Sequence, residues 1–177
     1  MSESTFFDLL RAQVRNEFTA SQQYIAVAVW FDDQDLPQLA AHFYKQSLEE
    51  RNHAMMIVQY FLDKDLPVAI PGVDDVRWEF DSVIEPLQLA LDQEKTVTSQ
   101  IEALAKAARE DGDYLGEQFM QWFLKEQIEE VSSMTTLVRI AHRAGDNLFH
   151  LEDFVARELA GGEGSDPTAP EAAGGAL

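Results

Sequence analysis

The sequence predicts an all-α fold: an antiparallel four-helix bundle with one long crossover between its second and third helices, followed by a short fifth helix. Three observations predict it. Four stretches carry apolar residues at alternating three- and four-residue steps, the period of a half-buried helix. Three of these stretches run to nearly 30 residues, about 40 Å each at the helical rise. Their connections are short, long and short, which makes the first and last pairs antiparallel and leaves one segment able to travel the length of the bundle.

The first helix is predicted from near Thr5 to about Asp32 on the stripe Phe6, Leu10, Gln13, Glu17, Ala20, Tyr24, Val27 and Phe31. Asp32, Asp33, Gln34 and Asp35 make the turn. The second helix starts at Leu36 or Pro37, where a first-turn proline is tolerated, and runs to about Asp63 on Leu39, Phe43, Gln46, Glu50, His53, Ile57 and Tyr60. KDLPVAIPGVDDVRWEF follows; with Pro67, Pro71 and Gly72 and no helical stripe, it reads as the extended crossover. The third helix spans about Ser82 to Glu110, and the fourth about Tyr114 to Arg143 on Met120, Phe123, Gln127, Glu130, Met134 and Leu137. Ala144, Gly145 and Asp146 supply a stop and a new start for a fifth helix from about Asn147 to Leu159. Residues 1–160 therefore read as one domain, and residues 161–177, small, polar and rich in Gly, Ala and Pro, as a disordered tail.

Each main helix breaks its apolar rule near its middle. Glu17, Glu50 with His53, Glu94, and Gln127 with Glu130 all fall on positions the pattern assigns to the core. Desolvating an ionised carboxylate without a partner costs several kcal/mol at least. No Lys or Arg lies on these stripes, so a bound metal is the economical source of positive charge. Glu50 and His53 are one helical turn apart, which lets a carboxylate and an imidazole converge on one ion. A glutamate from each of two helices plus two i, i+3 pairs is the di-iron carboxylate arrangement of bundles, here with Gln127 and Glu130 in place of a second Glu-x-x-His. Carboxylate oxygens with one imidazole suit Fe(II) and favour Fe(III) more strongly as charge rises.

The whole chain sets bounds on function. With 177 residues it can bury a sizeable core, and with no cysteine it has neither disulfides nor cysteine-ligated metal. A net charge of -19 argues against nucleic acid as a partner. The first segment is interrupted by Asp8, Arg11, Arg15 and Glu17, so neither a secretory signal nor a membrane span is expected, and the expected location is the cytoplasm.

NEFTASQQY around Glu17 and Tyr24, EERNHA around Glu49, Glu50 and His53, DQE ending at Glu94, and FLKEQIEE around Glu126, Gln127, Glu129 and Glu130 carry a resemblance. Over nearly all of residues 5 to 160 the sequence resembles the non-haem bacterial ferritins. The resemblance implies a ferritin-like fold and an iron-storage protein with ferroxidase activity, which oxidises Fe(II) with dioxygen or peroxide inside a homo-oligomeric shell of 24 chains. It implies one iron held by Glu17, Glu50 and His53, and a second by Glu50, Glu94 and Glu130, with Glu50 bridging. It further implies that Tyr24 hydrogen-bonds near the site, that Gln127 lies beside the second iron, and that Glu49, Glu126 and Glu129 form a third, weaker iron site toward the cavity.

Departures from related families matter too. The haem-containing bacterioferritins carry a second Glu-x-x-His and a haem-ligating methionine beside the bridging glutamate; Gln127, Glu130 and Asn52 stand here instead, so no haem is expected. Glu117 matches a position lining three-fold pores in ferritins, while the neighbouring acidic pore position is Met120. Leu148, Leu151, Phe154, Val155 and Leu159 give the fifth helix more apolar surface than an isolated solvent helix carries, so it should meet other subunits. Two other functions compete with oxidation and storage: a passive iron-nucleating scaffold, and a di-metal peroxidase or catalase, against which the absent second Glu-x-x-His counts.

Overall fold

A computed structural model describes residues 5–161 and 166–177. Residues 1–4 and 162–165, the start of the expected domain and part of the expected tail, lie outside the described residues. The helices are α1 (Thr5–Asp33), α2 (Pro37–Asp63), α3 (Ile84–Glu110), α4 (Tyr114–Ala144) and α5 (Leu148–Glu158), each within about two residues of its predicted bounds. Helix α1 packs along α2 and α3 along α4, and contact between α1 and α3 joins the two pairs into a bundle.

Helix ends are fixed by identifiable groups. Asp113 accepts from the Gly116 amide at 2.9 Å at the start of α4, and Asn147 accepts from the His150 amide at 3.2 Å at the start of α5. Leu36 cannot cap α2 with its own side chain; Glu152 of α5 does so instead, accepting from Gln38 N at 2.8 Å and Leu39 N at 2.9 Å. At the start of α1, the Phe6 amide donates to Asp111 Oδ2 at 2.9 Å, from the α3–α4 turn. Carboxylates thus meet the positive ends of two helix dipoles across the fold.

The crossover is held to α1 by side chains standing in for a partner strand. Gln23 Nε2 donates to Arg77 O at 2.7 Å, and the Arg77 amide donates back to Gln23 Oε1 at 2.9 Å. Phe80 anchors its end, edge-on to Trp30 at 5.6 Å between ring centroids. Helix α5 folds back on α2 and α4 through the buried Leu151 and Val155.

The core is two apolar clusters with a polar layer between them. One gathers Phe31, Leu39, Phe43, Leu87, Leu137 and Leu151 toward the α5 end; the other gathers Phe6, Leu10, Ile57, Phe61, Ile101 and Met120 toward the opposite end. Each fully buried large side chain contributes about 2 kcal/mol of hydrophobic stabilisation. Two apolar blocks of this kind let the intervening layer carry an unfavourable charge.

Residues 166–177 depart from the expected disordered tail. They have no regular secondary structure but lie against α2 and α4. Ala173 N donates to Met55 O at 3.0 Å, and Asn52 exchanges hydrogen bonds of 3.2 and 3.1 Å with the main chain of Leu177. Ala173 is buried, and Trp122 Nε1 donates to Asp166 at 3.1 Å.

Candidate metal centre

The four stripes meet at mid-bundle because antiparallel helices of similar length bring their middle turns to one level. There Glu17 of α1, Glu50 and His53 of α2, Glu94 of α3, and Gln127 and Glu130 of α4 are all buried. No Lys or Arg is among the buried residues described. Glu17, Glu50 and His53 each bring one ligand atom within 4.8 Å of the others, the only such group of three or more among the described residues.

Second contacts orient each ligand. Gln13 Nε2 donates to Glu17 Oε1 at 2.8 Å and to Gln100 Oε1 at 3.2 Å, while Glu17 Oε2 is buried without a hydrogen-bond partner. His53 Nδ1 lies 3.3 Å from Glu50 Oε2, and the ring sits edge-on to Trp122 and Phe123 at centroid separations of 5.6 and 5.8 Å. Glu94 accepts from the Tyr24 hydroxyl on Oε1 and from Gln127 Nε2 at 3.1 Å on Oε2. Each of those oxygens has a further lone pair for a metal.

Electrostatics show what the layer lacks. Burial, and then the neighbouring Glu94 and Glu17, push the Glu50 carboxyl well above the ordinary carboxylate range. Burial raises Glu94 to about 7, although the hydrogen bonds from Tyr24 and Gln127 pull the other way. Tyr24 is raised well above its usual value by burial and then by Glu94 and Glu50. Burial lowers His53, with Glu17 and Glu49 opposing, so the imidazole is available as a neutral donor. Without a cation, protons neutralise the layer; a divalent cation displaces them. The orphaned Glu17 oxygen, the converging imidazole and the oxygen-rich donor set fit iron.

A family model described as a ferritin-like domain matches residues 7–160. The chain belongs to the ferritin family. It is 67% identical over 175 residues to a protein of Mycolicibacterium smegmatis named Ferritin BfrB, spanning 99% of this chain and 96% of that one. A protein of Staphylococcus aureus named bacterial non-heme ferritin is 32% identical over 147 residues, or 83% of this chain and 89% of that protein. In fold, the chain is similar to an open-pore ferritin of the archaeon Archaeoglobus fulgidus, with a TM-score of 0.83 at 24% identity over 88% of this chain and 96% of that one.

The remaining residues singled out in this ferritin chain fall in two places. Glu49, Glu126 and Glu129 line a cleft of about 100 Å³ between α2 and α4, with Glu130 on its wall, but they form no preassembled three-ligand group. Met120 is fully buried in the core, so it lines no pore in this chain, and Glu117 accepts from Arg109 Nε at 2.9 Å. Asn52 exchanges hydrogen bonds with the main chain of Leu177. Gln13 was visible on the first stripe, yet its role as the residue orienting Glu17 emerges only from the fold. Gln100 carried no periodic signal.

Proposed function

We propose that this ferritin takes up Fe(II), oxidises it with dioxygen at the mid-bundle centre, and retains Fe(III) as mineral inside a shell of 24 subunits. The observation that carries this reading is the buried carboxylate layer with no cationic side chain, focused on Glu17, Glu50 and His53. Glu17 and His53 hold one substrate ion; Glu94 and Glu130 hold the second; Glu50 lies between. Ion binding expels the protons from Glu50 and Glu94, so uptake and proton release are coupled.

Two Fe(II) ions each give up one electron, and dioxygen takes both with two protons to leave as hydrogen peroxide. Tyr24 and Gln127 keep Glu94 in register during that change. Gln127, neutral where a carboxylate would bind Fe(III) tightly, lets the product depart. Hydrolysis of the ferric product releases further protons, and the Glu49, Glu126, Glu129 and Glu130 cleft offers it a carboxylate-lined path.

Storage is tested by aerobic addition of Fe(II) far beyond the capacity of the mid-bundle ligands, followed by native mass measurement and electron microscopy. A closed shell with an electron-dense core supports the reading. A stable monomer, or a shell that precipitates iron outside itself, overturns it.

A further inference from the structure

Lys45 and Glu49 stand one turn apart on α2, with Nζ 3.2 Å from Oε1. Both line the small cleft between α2 and α4 that also carries Glu126, Glu129 and Glu130. Among the described residues of that lining, Lys45 is the one Lys or Arg. The other oxygen of Glu49, Oε2, accepts from Gln46 Nε2, so both carboxylate oxygens have a donor on their own helix. Gln46 is buried, whereas the Lys45 side chain keeps 45% of its surface in water. Two neighbouring carboxylate groups are therefore offset in different ways. At mid-bundle no Lys or Arg is among the buried residues described, and protons neutralise the layer; in the cleft a tethered ammonium opposes the negative charge.

We propose that Lys45 is a built-in counter-ion of the cleft: its ammonium takes the place of a bound cation on Glu49 Oε1, and an iron ion has to displace it to gain that ligand. This deepens the storage reading and rests on it, since the cleft is there the path of ferric product toward the cavity. Four carboxylates with nothing to oppose them would hold a trivalent ion strongly, because the attraction grows with charge. A path has to release what it binds. An exposed ion pair is weak, so Lys45 yields to an arriving ion and pairs again when the ion leaves. Its flexible four-carbon stem lets the ammonium swing into water without disturbing α2. The same pairing accounts for the absence of a preassembled three-ligand group in the cleft: Glu49 is held by Lys45 and Gln46 of its own helix and is not drawn toward Glu126 and Glu129.

Lys45→Gln removes the charge and Lys45→Arg keeps it. Crystals of the full-length parent and both variants, soaked in the same limiting Zn(II), would be compared by anomalous data at the zinc edge. A chelator competition in solution would measure the affinity of the weakest Zn(II) class. Lys45→Gln should raise zinc occupancy beside Glu49, Glu126 and Glu129 and tighten that class about three- to tenfold. Lys45→Arg should stay within about twofold of the parent. Zinc at Glu17, Glu50 and His53 serves as the internal reference for a folded chain. A packing role for Lys45 would weaken the cleft on substitution, so a gain on removing the charge is diagnostic. Equal or lower cleft occupancy in Lys45→Gln, or the same gain in Lys45→Arg, overturns the proposal and leaves the storage reading standing. Zinc absent from both the cleft and the mid-bundle centre in every variant, even at saturation, overturns both.

Discussion

Gln127 Nε2 donates to Glu94 Oε2 at 3.1 Å, tying α4 to α3 through the carboxylate that faces the second half of the metal centre. The bond is between a neutral amide and a buried acid, at a point where a carboxylate on α4 would add to the repulsion. Gln127→Glu should therefore destabilise the metal-free protein by about 1–3 kcal/mol, the cost of one more unpaired buried polar charge. It should also hold Fe(III) longer, so that repeated turnover slows while the first oxidation survives. Chemical denaturation with and without Zn(II), and multiple-addition oxidation kinetics, read the two effects separately.

The raised carboxyls of Glu50 and Glu94 set the pH dependence of the metal-free protein. A carboxyl whose folded value lies above its unfolded one binds more protons folded than unfolded, so stability is fully present below the unfolded value and falls as pH rises. For Glu94 the window runs from its ordinary value of 4.5 to about 7. Across it the metal-free protein should lose about 2–3 kcal/mol from this group. Thermal unfolding measured through that range, with Glu50→Gln/Glu94→Gln as the reference, should show the slope in the parent and a much flatter one in the double variant. Saturating Zn(II) should reverse the trend, because metal binding is favoured as the protons leave.

Gly116 is needed for space. A Cβ built there would lie 2.5 Å from Cε1 of Phe6, a fully buried ring in the apolar cluster at the end opposite α5. Gly116→Ala gains helix propensity but forces Phe6 from its place, and the second effect should win by about 1–3 kcal/mol. A midpoint shift in denaturant unfolding checks it.

Glu152 reaches from α5 to two free amides at the start of α2. Glu152→Ala should cost about 1 kcal/mol, as loss of an N-cap does. It should loosen α5 before the bundle, which amide hydrogen exchange at Gln38 and Leu39 would detect first.

Legibility in the sequence followed periodicity. Phe6 to Phe31 and Leu39 to Tyr60 announce helices because a buried stripe repeats at the helical period, and Glu17, Glu50, His53 and Glu94 stand out because they interrupt it. Helix stops were readable where residues with special backbone roles occur, as at Gly145, which has φ of 55°. Contacts between distant parts were not readable. Nothing local marks Glu152 as the cap of α2, Gln23 as the partner of Arg77, or Gln13 as the support of Glu17. The tail's composition suggested disorder, yet the described part is held by Asn52, Met55 and Trp122 through individual hydrogen bonds that leave no pattern in the sequence.

Catalysis at the mid-bundle layer is tested most directly by oxidation of a small, fixed charge of iron. Metal-free protein is loaded anaerobically with about two Fe(II) per chain, as the paired ligands of a di-iron bundle suggest, and mixed with air while oxygen uptake and near-ultraviolet absorbance are followed. The parent should form Fe(III) rapidly, and Glu50→Ala/His53→Ala should do so slowly. Equal, slow rates in both would contradict the account and leave the carboxylates as passive binders of iron.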